Sequence, residues 1–259
     1  MTSFTLGINT GFATNRFPEP DVWARIVREE LGLGHVQLVA DLLNPFWPDE
    51  IIEAELARVR EATARYEITV HSLMTSTYTR VNHLMHPYKE HRLAWVAWFR
   101  RFVELAAELG AKAIGSHFGI LSYQDLADPA SCRARVDEAI GHWQDLSFYA
   151  QRLGLEYVYY ETMSVPREMG HTIEEARGLL ERVNQHAGVP MAYCLDAGHA
   201  PHPGIARPQG VQQVQRRTGR GDKPQGGGEQ AAAGRRGDVV VVDLADRIGL
   251  AREAHRCRR

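Results

Sequence analysis

Short apolar runs alternate with helix-like segments along most of the chain. Six runs have the length of buried strands, and the segments between them repeat apolar residues at helical spacing and close at a glycine. The predicted strands cover residues 5–10, 35–41, 67–72, 112–117, 155–161 and 191–196. Strands that alternate with helices are typical of a parallel sheet built from right-handed crossovers.

Each predicted strand closes on a polar residue. These residues are Asn9, Asp41, His71, His117, Glu161 and Asp196. If the sheet closes into a barrel, they all face one rim, where barrel active sites lie. An open doubly wound sheet is the alternative, but no GxGxxG or Walker sequence follows the first strand.

Three further local predictions can be checked in the structure. A long polar connection, residues 75–87, follows the third strand, as functional loops often do. Thr172 and Glu175 have the spacing of a capping box at a helix start. The helix before the fourth strand is predicted to bury one stripe, consisting of Leu93, Val96, Phe99, Val103 and Ala106.

The pattern breaks after residue 203. Residues 204–237 are rich in Gly, Arg and Gln and lack apolar periodicity, which is typical of flexible chain, and residues 238–244 resemble one further strand. We therefore expect a (β/α)8 TIM-type barrel whose first six units occupy residues 1–203 and whose last two units, within residues 204–259, are altered or missing. A frameshift is one hypothesis for this end. A nucleotide frame that restores the periodicity would support it, and the absence of one would remove it.

Bulk properties narrow the function classes. The 259 residues suit one α/β barrel, and a net charge of -2 argues against nucleic-acid binding through phosphate neutralisation. No secretory leader and no membrane-spanning run is recognised, so we expect a cytoplasmic protein. The three cysteines are far apart, which predicts reduced thiols and argues against a zinc-thiolate site.

Glu161 and Asp196 are the strongest candidates for chemistry. Each closes an apolar run, so two parallel strands bring both carboxylates to one end, where they can converge on a divalent metal ion (Mn2+, Mg2+ or Zn2+). A metal that polarises a carbonyl, with a carboxylate that moves the neighbouring proton, performs isomerase or epimerase chemistry. The alternative is that both carboxylates only cap the loops that follow.

The residues around these carboxylates carry a family resemblance. Residues 160–168 (YETMSVPRE) and 194–199 (CLDAGH) resemble the xylose-isomerase-like sugar and sugar-phosphate isomerases and epimerases, and most of all the tetrulose-phosphate (erythrulose 1-phosphate) 3-epimerases of erythritol breakdown. The resemblance implies a (β/α)8 barrel with a metal held by Glu, Asp, His and Glu on strands five to eight. Glu161 and Asp196 match the first two ligands, Glu161 also matches a catalytic acid/base, and His199 matches a substrate-contacting histidine.

The chain departs from this family pattern in two ways. Glu168 lies seven residues after the strand-five ligand, whereas the family's substrate-binding Glu lies six residues after it. No convincing counterpart of the strand-seven His or the strand-eight Glu is found. A non-catalytic barrel remnant is therefore the alternative to an epimerase. A metal-dependent apurinic endonuclease is a second enzymatic alternative, which the acidic balance disfavours.

The remaining candidates concern the substrate, a small sugar or sugar phosphate. We expect contacts from His117, Arg167, Glu168 and His199, with Arg80 and Arg167 as candidates to bind a phosphate. For Arg80 an ordinary solvated arginine is the competing interpretation, and for His117 a hydrogen-bonded rim residue. His71 is predicted to be structural, and metal binding by His83, His86 and His91 is disfavoured. No membrane partner is expected, and a homo-oligomer is compatible with the aromatic helix that contains Trp95 and Trp98.

Overall fold

The computed structural model describes residues 5–196 and 239–242, with the last four described by their backbone alone. The strands are β1 (Thr5–Asn9), β2 (His35–Val39), β3 (Thr69–Met74), β4 (Ala113–His117), β5 (Tyr157–Glu161), β6 (Met191–Cys194) and β7 (Val239–Val242). The helices are α1 (Pro20–Arg25), which continues as a π-helical turn (Ile26–Glu30), α2 (Asp49–Arg65), α3 (Lys89–Glu108), α4 (Tyr123–Ala127), α5 (Pro129–Arg152) and α6 (Ile173–Asn184). All six predicted strands are present.

The strands form one parallel sheet in the order β6-β5-β4-β3-β2-β1-β7. Six strands are thus neighbours in chain order, which is the arrangement of successive units in an α/β barrel. The further strand expected within residues 238–244 is confirmed as Val239–Val242, which pairs with β1 from Thr5 to Ile8. The altered last two units lie mainly outside the described residues and stay a prediction.

The buried face of α3 is broader than the predicted stripe. Phe99, Val103 and Ala106 are buried as predicted and Val96 is partly buried, but Leu93 is 52% exposed, and Trp98 and Phe102 are buried as well. The rings of Trp98 and Phe102 lie 4.8 Å apart, while Phe99 contacts Trp143 of α5 at 5.4 Å. The helix therefore buries a broad aromatic face between the sheet and α5, and Leu93 lies beyond that contact.

Strand β3 extends further than its sequence suggested. It reaches Met74, so His71 lies inside the strand and not at its end. Burial lowers the pKa of His71, and Lys112 and His35, which lie near the starts of neighbouring strands, lower it further. The prediction that His71 is at the rim is wrong, because the strand continues for three more residues and Thr75 follows it.

Helix α6 begins with half of the predicted capping box. The Thr172 side chain accepts a hydrogen bond from the Glu175 backbone N–H at 3.2 Å. The Glu175 carboxylate instead accepts from the backbone N–H groups of Gly170 and His171, each at 3.0 Å. The carboxylate thus binds the loop before the cap and fixes how the chain enters the helix.

Within the described residues, no helix combines the length and the apolar character that crossing a membrane requires.

Candidate active site

A cavity of about 450 Å³ lies at the carboxyl ends of the strands. Five of the six predicted strand-end residues line it, namely Asn9, Asp41, His117, Glu161 and Asp196. Parallel strands present their carboxyl ends at the same edge, so residues far apart in sequence meet there. The structure therefore brings Glu161, Asp196 and His117 together in one site.

Glu161 and Asp196 flank the half-buried thiol of Cys194. Glu161 ends β5 and is paired in register with Cys194, the last residue of β6, and Asp196 follows two residues later. Burial raises the pKa of Cys194 to about 12, and the charges of Glu161 and Asp196 raise it as well. Cys194 is therefore a protonated thiol at neutral pH.

The donor chemistry of this wall fits a hard divalent cation, which prefers oxygen ligands. Two carboxylates that could supply such oxygens, Glu161 and Asp196, line the cavity. Among residues 5–196 and 239–242, however, no group of three His, Cys, Asp or Glu side chains is arranged to hold a metal ion. Metal binding by Glu161 and Asp196 therefore stays a prediction.

His117 lies on the cavity wall in its neutral form. Its Nε2 donates a hydrogen bond to the Val81 carbonyl at 3.0 Å, which leaves Nδ1 as the acceptor. Burial lowers the pKa of His117 to about 4, and the nearby Arg80 guanidinium acts in the same direction. At neutral pH this side chain can accept a hydrogen bond from a hydroxyl group but carries no charge.

His83, a second buried histidine, packs against His117. The ring of His83 lies 4.0 Å from that of His117, and its Nδ1 accepts a hydrogen bond from the Leu84 backbone N–H at 2.6 Å. Burial lowers the pKa of His83 well below its ordinary value, so this ring is neutral too. Its φ of +30° is unusual for a residue with a side chain. His83 therefore belongs to the packing beneath His117.

A hydrogen-bonded row of side chains crosses the sheet and begins with Asn9 and Gln37, which line the cavity. Asn9 donates to Gln37 at 2.6 Å, Gln37 donates to the Tyr159 hydroxyl at 2.7 Å, and Tyr159 donates to the Leu73 carbonyl at 3.1 Å. Buried polar groups need such partners, and a connected row fixes each orientation. The sequence analysis did not predict this row. The sequence feature that could have revealed it is a lone polar residue, Gln37, within the apolar run of β2.

Asp41 was recognised only as a strand-end residue, yet its setting is distinctive. Burial raises its pKa, and hydrogen bonds from the Ser76 side chain and the Tyr78 backbone lower it in part. Its Oδ1 is buried and has no hydrogen-bond partner among the described residues. Asp41 is thus the third carboxylate that lines the cavity, and it follows β2, three strands from β5 in the sheet.

The remaining substrate-binding candidates lie in different places. Glu168 is 3% exposed and forms an ion pair with Arg80, which itself lines the cavity. Arg167 lies outside the cavity lining, with its guanidinium 5.5 Å from the centre of the Tyr123 ring. His199 is outside the described residues. Substrate contacts by these three residues stay predictions.

The sequence model of the xylose isomerase-like TIM barrel family matches residues 27–238. The chain belongs to this family. The match covers the strands that carry Asp41, His117, Glu161 and Asp196, and it agrees with the strand order seen here. The TIM-barrel fold and the family resemblance predicted from residues 160–168 and 194–199 are therefore confirmed.

One relative within the family is D-erythrulose 1-phosphate 3-epimerase of Brucella abortus (strain 2308). It is 35% identical over 198 residues, which are 76% of this chain and 64% of the relative. The match thus spans less than two thirds of the relative's length.

Solved structures agree on the fold. A provisionally named xylose isomerase from Rhodospirillum rubrum ATCC 11170 superposes with a TM-score of 0.73 at 28% identity, over 77% of this chain and 69% of its own. A D-psicose 3-epimerase from Clostridium cellulolyticum H10, solved with D-tagatose, superposes with a TM-score of 0.61 at 15% identity, over 77% and 66% of the two chains.

Proposed function

We propose that this protein is an epimerase or isomerase of a small ketose or ketose phosphate, with 3-epimerisation of erythrulose phosphate as the specific reaction. The observation that carries the proposal is the convergence of Glu161, Asp196 and His117 on one cavity. It is supported by the 35% identity to a D-erythrulose 1-phosphate 3-epimerase.

We further propose that Glu161 and Asp196 hold a divalent metal ion, Mn2+, Mg2+ or Zn2+. When bound, such an ion polarises a carbonyl and makes the adjacent carbon more acidic. Both side chains are carboxylates at the ends of neighbouring strands, with Glu161 at the end of β5 and Asp196 two residues beyond β6, and both line the cavity. The wall therefore offers two oxygen ligands to a cation.

The side chains have distinct roles in this proposal. Glu161 removes or returns the proton on the carbon next to the substrate carbonyl, as a positioned carboxylate does in general acid–base catalysis. His117, neutral and with Nδ1 as its acceptor, receives a hydrogen bond from a substrate hydroxyl. The hydrogen-bonded Asn9–Gln37–Tyr159 row begins at the cavity lining and fixes the orientations of Asn9 and Gln37 there.

The test compares Glu161→Gln with the wild-type chain, and Glu156→Gln serves as the matched control. Glu156 precedes the same strand at its other end, where it pairs with Lys112 at 3.1 Å on the surface. Exchange of the substrate C3 proton with deuterium from solvent is followed by NMR with erythrulose phosphate. We expect Glu161→Gln to lower the exchange rate by about 10²- to 10⁴-fold, while the control keeps the wild-type rate.

Calorimetric titration of Mn2+ into the metal-stripped proteins gives a second readout. Saturable binding by the wild type and by Glu156→Gln, with loss in Glu161→Gln, would support the cation site. A folded wild-type chain that neither binds the ion nor exchanges the proton would contradict the proposal. It would favour the alternative of a non-catalytic barrel, which the missing counterparts of the strand-seven and strand-eight ligands motivate.

A further inference from the structure

The cavity holds a single positively charged side chain among the described residues that line it. That side chain is Arg80, in the loop after β3, whereas three carboxylates, Asp41, Glu161 and Asp196, line the same cavity. His117 adds no charge at neutral pH, because burial keeps it unprotonated. An anionic group of a substrate therefore has one favourable place in this part of the site, beside Arg80.

Arg80 is held in place without any ligand. Its Nη2 donates to both oxygens of Glu168, at 2.8 and 3.0 Å, and Glu168 is almost completely buried. The loop that carries Arg80 is fixed as well, since the Asn82 side chain donates to the Ile120 carbonyl at 2.7 Å. A positioned guanidinium loses little conformational entropy when it binds an anion, which favours affinity.

The ion pair with Glu168 does not use all the donors of Arg80. Among the described residues, only Nη2 takes part in it, and Nε and Nη1 make no hydrogen bond. A guanidinium presents five N–H donors, so those on Nε and Nη1 are left to donate charge-assisted hydrogen bonds to an anion such as phosphate. The Arg80 side chain is also 44% exposed, which leaves it accessible from the cavity.

Arg80 and the proposed metal ligands belong to different segments of one cavity. Arg80 lies in the loop after β3, which reaches over β4 to Glu168 in the loop after β5, whereas Glu161 ends β5 and Asp196 follows β6. All three side chains line the same cavity of about 450 Å³. A short sugar that carries a phosphate at one end can contact both Arg80 and the carboxylates.

We propose that Arg80 is the phosphate-binding residue of this cavity, that Glu168 positions it, and that the pair makes the site select phosphorylated over free ketoses. This inference rests on the proposed function for the identity of the sugar. It also revises the two roles expected from the sequence. Glu168 acts through Arg80, and Arg167, stacked on Tyr123 outside the cavity, binds no phosphate.

The experiment measures kcat/KM of the full chain for erythrulose phosphate and for free erythrulose. In Arg80→Gln we expect kcat/KM for the phosphorylated sugar to fall about 10- to 100-fold, as for a lost charge-assisted hydrogen bond, and kcat/KM for the free sugar to change less than about twofold. Arg182→Gln is the control. Arg182 is 46% exposed and paired with Asp137 at 2.6 Å, but it lies on α6 outside the cavity.

A second variant guards against a purely structural effect. Removing Arg80 alone leaves the Glu168 carboxylate buried without a partner, which destabilises a fold. The double variant Arg80→Gln/Glu168→Gln removes both charges and should keep the wild-type thermal midpoint within a few degrees. We expect it to show the same loss of selectivity as Arg80→Gln.

Inorganic phosphate provides a readout that does not need turnover. We expect millimolar phosphate to raise the thermal midpoint of the wild type and of Arg182→Gln but not that of the double variant. Equal losses of kcat/KM for both sugars, or phosphate stabilisation that persists in the double variant, would overturn the inference. A wild type that binds phosphate through Arg80 yet epimerises no ketose would uphold it and refute the proposed function.

Discussion

Gly115 lies where the ring of Tyr159 crosses strand β4. A Cβ atom built on this glycine would lie 2.0 Å from Cε2 of Tyr159 and 2.2 Å from Cζ. The ring cannot simply move aside, because its hydroxyl is bonded to Gln37 and to the Leu73 carbonyl. The absence of a side chain at Gly115 is thus a condition for the hydrogen-bonded row through Tyr159.

We expect Gly115→Ala to lower the free energy of unfolding by about 1–3 kcal/mol, the usual cost of overpacking a core. The matched control is Gly141→Ala within helix α5, where an added Cβ meets no atom within 4 Å. That change should leave stability equal or raise it by up to about 1 kcal/mol, since alanine favours helices. Urea unfolding monitored by circular dichroism measures both. Equal stability of the two variants would show that Tyr159 can shift without cost.

The sequence predicted strand-end residues well and interior ones poorly. Asp41, His117, Glu161 and Asp196 were found because a polar residue that closes an apolar run is visible in the sequence. The fit between Gly115 and Tyr159 was not visible, since it depends on side chains from two strands meeting in space. His71 was misplaced, because β3 continues through the apolar Leu73 and Met74.

At the scale of elements, α6 shows how a loop and a helix start are joined. Thr172 caps the helix, and Glu175 turns back to the N–H groups of Gly170 and His171 and to the His171 ring at 2.5 Å. Gly170 adopts φ +92°, in the region that favours glycine. The carboxylate at the first turn therefore stabilises the preceding loop as well as the helix.

We expect Thr172→Ala to lower the free energy of unfolding by about 1 kcal/mol, because the Glu175 N–H loses its side-chain acceptor. Thr172→Ser keeps a hydroxyl in the same place and should retain most of the wild-type stability. Denaturant unfolding of the three proteins at one pH gives the comparison. A Thr172→Ala protein as stable as the serine variant would mean that Glu175 alone maintains the helix start.

Strands and helices were predicted in the right order because each has its own hydrophobic period. The exact packing of the helices was not predicted, as Leu93 of α3 illustrates. Its spacing matched the apolar stripe, but the helix turns its aromatic residues Trp98, Phe99 and Phe102 toward the sheet and α5. Periodicity identifies that a helix has a buried face, and the neighbouring elements decide which residues occupy it.

At the scale of the whole molecule, β7 covers the outer edge of β1. Its four residues pair in parallel register with Thr5, Leu6, Gly7 and Ile8. An uncovered edge strand exposes unpaired backbone groups to other chains. The short strand near the end of the sequence thus protects the first strand of the sheet.

We expect deletion of residues 239–259 to lower the free energy of unfolding by about 2 kcal/mol or more, since the backbone hydrogen bonds of the β1–β7 pair are lost. The shortened chain should also associate at high concentration. A chain that ends at residue 248 keeps β7 and is the control. Urea unfolding and light scattering after gel filtration test this. Identical behaviour of both chains would show that β1 needs no partner at this edge.

The hydrogen bond between Gln37 and Tyr159 has a consequence for how the sheet is held together. Gln37 lies in β2 and Tyr159 in β5, with β3 and β4 between them. Two intervening strands put the backbones of β2 and β5 about 14 Å apart in a flat sheet. The Tyr159 ring spans much of this distance because it lies over Gly115 of β4, and Gln37 reaches its hydroxyl at 2.7 Å. The bond thus links two strands that do not pair with each other, and a change that moves β2 and β5 apart would break it.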